Sequence, residues 1–249
     1  LCAISLEQYG WQTTYVISAA VYFCIAFPIA FLIKESPLRE VARNNPQVEV
    51  RDFPLSEREV IIWISMAIIF CCNCMAVPIV HLVPLLTDNG RTLDEATTVL
   101  TLLMFSGAFG RIVGGKLGDT IGALPGYILM SAGQTVSVLW FPYFHSDISL
   151  YLLAIVFGFT YSGVMSSILV CTRTMVSARY SGRAMSITSF FGWIGMGTGG
   201  VVGGLLFDAT GNYDWSFGFA AGVGVINLII LGLFFVRIRT QGALSPAPA

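Results

Sequence analysis

Residues 109–122, "FGRIVGGKLGDTIG", set Arg111, Lys116 and Asp119 among five glycines. Outward from this stretch, in both directions, the chain is almost free of charge. Counting only Asp, Glu, Lys and Arg as breaks, uncharged runs cover 8–33, 60–87, 96–110, 120–146, 148–172, 184–207 and 215–236. A helix needs about 20 residues to cross about 30 Å of hydrocarbon, and every run except 96–110 meets that length. The short one reaches it when the helix continues through Arg111 to the neighbourhood of Leu117. Over 249 residues the chain is 55% hydrophobic and 11% charged, with a mean hydropathy of +0.77. A soluble domain carries about 25% charged residues. The expected class is therefore an all-α polytopic membrane protein with about seven transmembrane helices. Its surroundings are the lipid bilayer, and nucleic acid is not an expected partner.

The charges set the topology. With the first residue outside and each span reversing the side, twelve cations fall on or near one side, from Lys34 through Arg111, Lys116 and Arg183 to Arg237 and Arg239. Only Arg91 falls on the other. The excess of Lys and Arg marks the cytoplasmic side, which predicts a multi-pass protein of the cell membrane with a cytoplasmic C-terminus.

Spans are expected near 12–33, 60–86, 95–117, 124–144, 148–172, 184–207 and 214–236. Residues 1–33 read as the end of one helix, an outer turn at "YGWQ" (9–12) and a full span. The apolar opening without Met reads as the C-terminal part of something longer. Residues 34–59 form the one long polar segment, punctuated by Pro37, Pro46 and Pro54, and read as a cytoplasmic linker with room for a short surface helix. A six-helix bundle is expected over 60–237 and a cytoplasmic tail over 238–249. Thr92 followed by Glu95 predicts a capping box for the third span, and "FDATGNYDWSF" (207–217) predicts a turn between the last two.

Of the six cysteines, Cys24, Cys71, Cys72, Cys74 and Cys171 lie inside expected spans. The C-x-x-C of "CCNC" has no His or carboxylate nearby in sequence, so small core-filling thiols are expected rather than a metal or redox centre. Gly195-x-Gly197-x-x-Gly200 follows no strand and has no acidic partner downstream, which excludes a dinucleotide site. Gly195, Gly199 and Gly203, and likewise Gly200 and Gly204, instead read as small-residue seams between helices. No cluster of nucleophile and base, or of metal ligands, suggests an enzyme.

Arg111 falls about 7 Å to the cytoplasmic side of a midplane near Ser106. A charge at that depth costs several kcal/mol and usually faces a bundle interior or an aqueous cavity. Gly107, Gly114 and Gly115 share its helical face, so a ligand or helix can come close to the guanidinium. It reads either as an anion-coordinating group or as a snorkelling arginine at the membrane boundary. Asp119 can accept hydrogen bonds from the N-terminus of a neighbouring helix. The sixth span, which brings Arg183, is the expected partner in a cytoplasmic latch. Asn73 and His81 sit near Pro78 and Pro84, and His81 reads as a proton carrier or as a packing residue. Tyr161, Ser162 and Ser166 form a polar helix face, suited to lining a path or to interhelical hydrogen bonds.

"GKLGDTIGAL" (115–124) resembles the loop motif of the major facilitator superfamily, through Gly115, Leu117, Gly118, Asp119 and Gly122. Thr120, Ala123 and Leu124 stand where that motif is usually basic. The resemblance implies that the spans are equivalent to helices 6–12 of a twelve-helix fold, six of them built as two inverted three-helix repeats. The partner would be a missing N-terminal bundle of the same protein. With "VHLVPLLTDNG" and "LLFDATGNYDWSF", the chain is similar to the monocarboxylate and oxalate/formate carriers. That likeness implies secondary transport of a small organic anion, with no cofactor beyond a possible coupling proton. It also implies that Arg111 contacts the substrate carboxylate, together with an aromatic and a serine of the tenth helix, here Tyr161 and Ser166. Gly115, Asp119, Gly122 and Arg183 then belong to gating. Two departures stand out: Gly107 replaces the aspartate one turn before the arginine, and the eleventh helix carries no lysine. A drug or sugar carrier of the same fold and a non-transporting membrane sensor are the alternatives.

Overall fold

A computed structural model describes residues 2–32 and 53–244. The expected linker therefore lies largely outside the described residues, as does the end of the tail. The chain forms two units, Leu1–Val48 and Glu49–Ala249. In the first, α1 (Cys2–Leu32) breaks at Gly10, whose φ of 74° lies in the left-handed region. Glycine alone enters that region freely, so the outer turn expected at "YGWQ" is a kink on this residue. Phe23, Phe27 and Phe31 form a ladder along the span, with ring centroids 5.0 and 5.1 Å apart.

The second unit is a six-helix bundle: α2 (Glu57–Asp88), α3 (Leu93–Ile121), α4 (Ala123–Val138), α5 (Asp147–Thr174), α6 (Ala178–Thr210) and α7 (Asp214–Leu244). With Gln12–Leu32 of α1, six helices among the described residues are long and apolar enough to cross a membrane. The fourth expected span, near 124–144, is shorter than predicted. α4 has 16 residues and stops at Val138 rather than near 144, because Pro142 lacks an N–H and its ring would strike the carbonyl four residues back.

Packing repeats within the unit. α3 lies along α5 and α6 along α2, α4 rests on α5 and α7 on α2, and α4 meets α7. Exchanging α2–α4 for α5–α7 reproduces these main contacts. A repeat of three spans starts on the side opposite its predecessor, so the arrangement is an inverted one. Phe141 holds the repeats together at one end, with ring centroids 5.5 Å from Phe157 and 5.9 Å from Phe217.

Close backbone approach fixes the outer helices of this pattern. On α3, a Cβ added to Gly110 would stand 2.0 Å from the Phe159 carbonyl oxygen of α5, and one on Gly114 would stand 2.6 Å from Gly163 Cα. On α6, added Cβ atoms at Gly195 and Gly199 would stand 2.5 and 2.7 Å from the Ile69 and Asn73 carbonyls of α2. Apolar attraction between helices is weak in lipid, so contact this close supplies the dispersion energy that holds them. The seam of Gly195, Gly199 and Gly203 thus forms as expected. Gly204 packs less tightly, its nearest neighbour 3.6 Å away on His81.

The helix ends follow local chemistry. Thr92 and Glu95 make the expected capping box, the Thr92 hydroxyl accepting from the Glu95 N–H and the Glu95 carboxylate from the Thr92 N–H. At the far end α3 runs through Asp119 to Ile121, and Gly122 alone (φ 98°) turns the corner into α4. The expected turn at "KLGDTIG" is therefore mostly helix.

Candidate binding groove

Because α3 rests on α5 and α6 on α2, a groove of about 420 Å³ opens between the two pairs. Arg111 lines it from α3 and Tyr161 from α5; Thr188, Ser189 and Trp193 line it from α6. Four methionines complete the wall: Met75, Met104, Met165 and Met196. Arg111 is the one charged residue in this lining, and among the described residues no carboxylate pairs with it.

The arginine's setting follows from helical geometry. Gly107, Gly110, Gly114 and Gly118 are all buried, the first three in the crossing with α5. Arg111 stands beside that seam, on a stripe with Met104, Ala108 and Gly115. A Cβ on Gly115 would meet nothing within 4 Å. The glycines expected to give access to the guanidinium therefore divide: Gly107 and Gly114 serve helix contact, and only Gly115 leaves open space. At Gly107 an added Cβ would come 2.5 Å from Ser162 Oγ, so the crossing leaves no room for an acidic side chain there.

Tyr161 reaches the same groove, but its hydroxyl is engaged. It donates to Met104 Sδ at 3.4 Å, while the ring stacks on Phe157 at 5.7 Å. Ser166 is half-buried and off the groove; Met165, one residue earlier, takes the wall position. One residue is about 100° of helix rotation, and a polar pattern alone does not fix that angle. Ser162 is buried in the α3–α5 crossing.

Asn73 and His81 fasten α2 to α6. The Asn73 amide donates to Ile69 O at 2.9 Å and to Thr198 Oγ1 at 3.1 Å. His81 Nε2 is 2.9 Å from Gly200 O, and its ring lies 6.1 Å from that of Tyr213. Neither residue lines the groove.

The expected contact between Asp119 and Arg183 is not made. α3 and α6 do not touch, and both side chains are exposed. The α6 N-terminus is instead occupied by Glu57 of α2. Its carboxylate accepts from the Ser177 backbone N–H at 3.1 Å and from the Ser177 hydroxyl. Glu59 beside it accepts from Arg237 Nε of α7 at 3.0 Å. Glu57→Ala removes a cap and is expected to cost about 1–2 kcal/mol, read as a lower unfolding midpoint in detergent, with Glu57→Gln retaining part of the loss.

Polar residues buried in the middle of α4 and α7 also bond between helices. Gln134 Nε2 donates to Cys71 O at 3.2 Å, and Asn227 donates to Ser131 Oγ. Only a polar stripe among the α4 apolar residues, Ser131, Gln134 and Thr135, could have pointed to them.

The described residues thus form an inverted-repeat helical bundle with a single charged residue in its groove. The profile of the Major Facilitator Superfamily matches residues 62–249, and the chain belongs to that superfamily. It is 28% identical over 258 residues to monocarboxylate transporter 13 of Rattus norvegicus, an alignment covering 98% of this chain and 59% of that relative. The chain thus spans about three-fifths of the length of the curated relative it matches.

Proposed function

We propose that this chain belongs to a secondary carrier that moves a small organic anion, a monocarboxylate, across the cell membrane by alternating access. The observation that carries this reading is Arg111, a guanidinium that no carboxylate pairs with among the described residues, in an otherwise uncharged groove. A carboxylate accepts two parallel hydrogen bonds from a guanidinium, which supplies both attraction and orientation. Likeness to a protein named for monocarboxylate transport supports the same substrate class. The groove faces a second bundle in the intact carrier, which closes over the substrate from the other side. That partner is consistent with the alignment, which covers 59% of the relative.

In this reading Asp119 and Arg183 gate by meeting the second bundle rather than each other, since their helices stand apart. Gly115 leaves open space on α3 beside that contact, and Gly122 turns the chain into α4. The C-terminus is cytoplasmic by the distribution of cations. Among the described residues no carboxylate or imidazole lines the groove, so any coupling proton would find its acceptor elsewhere in the carrier.

Uptake into proteoliposomes by the full-length protein tests the proposal. Phenylacetate is expected to enter and its neutral isostere phenylacetamide is not. Equal uptake of both would favour a carrier of neutral solutes.

A further inference from the structure

Taking Arg111 as the carboxylate contact proposed above, we infer that the groove selects amphipathic monocarboxylates, whose bulky aromatic or long aliphatic body lies against Trp193 and the methionines. A carrier for short hydroxy acids needs hydrogen-bonding groups around its cation, and here they are largely spent. The Tyr161 hydroxyl is given to Met104. The Thr188 hydroxyl bonds back to the Ala184 and Met185 carbonyls at 3.0 and 3.2 Å. What remains around Arg111 is mostly thioether and indole surface, with Ser189 as the one further hydroxyl in the lining. Met75, Met104, Met165 and Met196 come from four different helices, and methionine adapts its shape to varied apolar ligands.

Trp193 supplies the aromatic platform. Its residue is 75% exposed, and among the described residues no ring stacks on it. Its backbone lies next to Gly192, whose added Cβ would stand 3.2 Å from Ile68 of α2, so the indole borders the groove about 100° of helix rotation from that contact. The cavity, at about 420 Å³, falls within the usual range for ligand pockets and exceeds what a three-carbon acid fills. A second carboxylate on the ligand would face the methionines without a partner, a costly burial. This face of the groove therefore disfavours dianions.

Counterflow in proteoliposomes containing the full-length carrier tests this selection, using lactate, phenylacetate, indole-3-acetate and succinate. The KM is expected to fall about tenfold or more from lactate to indole-3-acetate, since each buried methylene equivalent is worth about fourfold. Succinate should be the poorest. Trp193→Ala should compress the indole-3-acetate to lactate ratio about tenfold, and Trp193→Phe should restore most of it, which separates loss of the platform from loss of folding. Lactate or succinate preferred over the aryl acids, with transport still dependent on Arg111, would overturn the selection and leave the monocarboxylate reading standing. A ratio that Trp193→Ala leaves unchanged would overturn it as well. Failure of every carboxylate, with Arg111→Lys inert, would remove both.

Discussion

Arg111→Lys in the full-length carrier is expected to reduce monocarboxylate transport by about 10- to 100-fold. Lysine keeps the charge but presents a compact ammonium in place of a planar fork, so one of two parallel hydrogen bonds to the carboxylate is lost. A charge-assisted hydrogen bond is worth about 1.5–3 kcal/mol, which converts to that range of rates. The substitution leaves the bundle intact, because Arg111 stands beside the α3–α5 seam rather than in it. Initial rates of labelled phenylacetate uptake, normalised to protein in the membrane, measure the effect. An unchanged rate would return Arg111 to the role of a snorkelling boundary residue.

Gly110→Ala is expected to be among the most damaging single substitutions in the bundle, alongside Gly158→Ala on the facing helix. A Cβ on Gly110 would stand 2.0 Å from the Phe159 carbonyl oxygen, with the Phe159 Cα at 2.8 Å. Both are backbone atoms and cannot swing aside, so α3 and α5 must separate along their crossing. A cost of about 3 kcal/mol or more follows, at the upper end for overpacking. Gly115→Ala, five residues on in the same helix, meets open space and should stabilise by about 0.5–1 kcal/mol through helix propensity. Thermal unfolding in detergent should move the two variants in opposite directions. A similar midpoint for both would mean that the α3–α5 crossing is looser than the geometry requires.

Much of this fold was legible in the sequence because the bilayer imposes a simple length rule on uncharged runs. Lipid leaves no other partner for backbone N–H and C=O groups, so each long run had to be a helix. The exception shows the rule's limit. The run from 120 to 146 is long enough for a full span, yet Pro142 ends α4 at Val138. Local signals held where the chemistry is local, as in the capping box of Thr92 and Glu95 and the seam from Gly195 to Gly203. Gly110, Gly114 and Gly118 carry the same spacing of four, with Gly107 three residues before them, but the charge at Arg111 points to a ligand instead.

Site assignments depended on rotation and on pairing across distant segments, which periodicity does not encode. Arg111 and Tyr161 come to one groove, whereas Ser166 gives way to Met165 by a single residue of rotation. Asn73 and His81 look like lone polar groups in sequence. Their partners, Thr198 and Gly200, lie 125 and 119 residues away, so their role as fasteners emerges only from the packing of α2 on α6. A carboxylate does cap the α6 N-terminus, but it is not Asp119. Glu57 supplies it, because α6 rests on α2 and not on α3.

Ligand-induced stabilisation tests the role of Arg111 most directly, because it reads binding without transport. A ligand at about 100 times its Kd raises stability by about 2.7 kcal/mol. Purified full-length wild-type protein should unfold at a higher temperature with phenylacetate and be unmoved by phenylacetamide, and Arg111→Lys should lose most of the rise. An equal rise in both proteins, or an equal rise with the amide, would contradict carboxylate binding at Arg111.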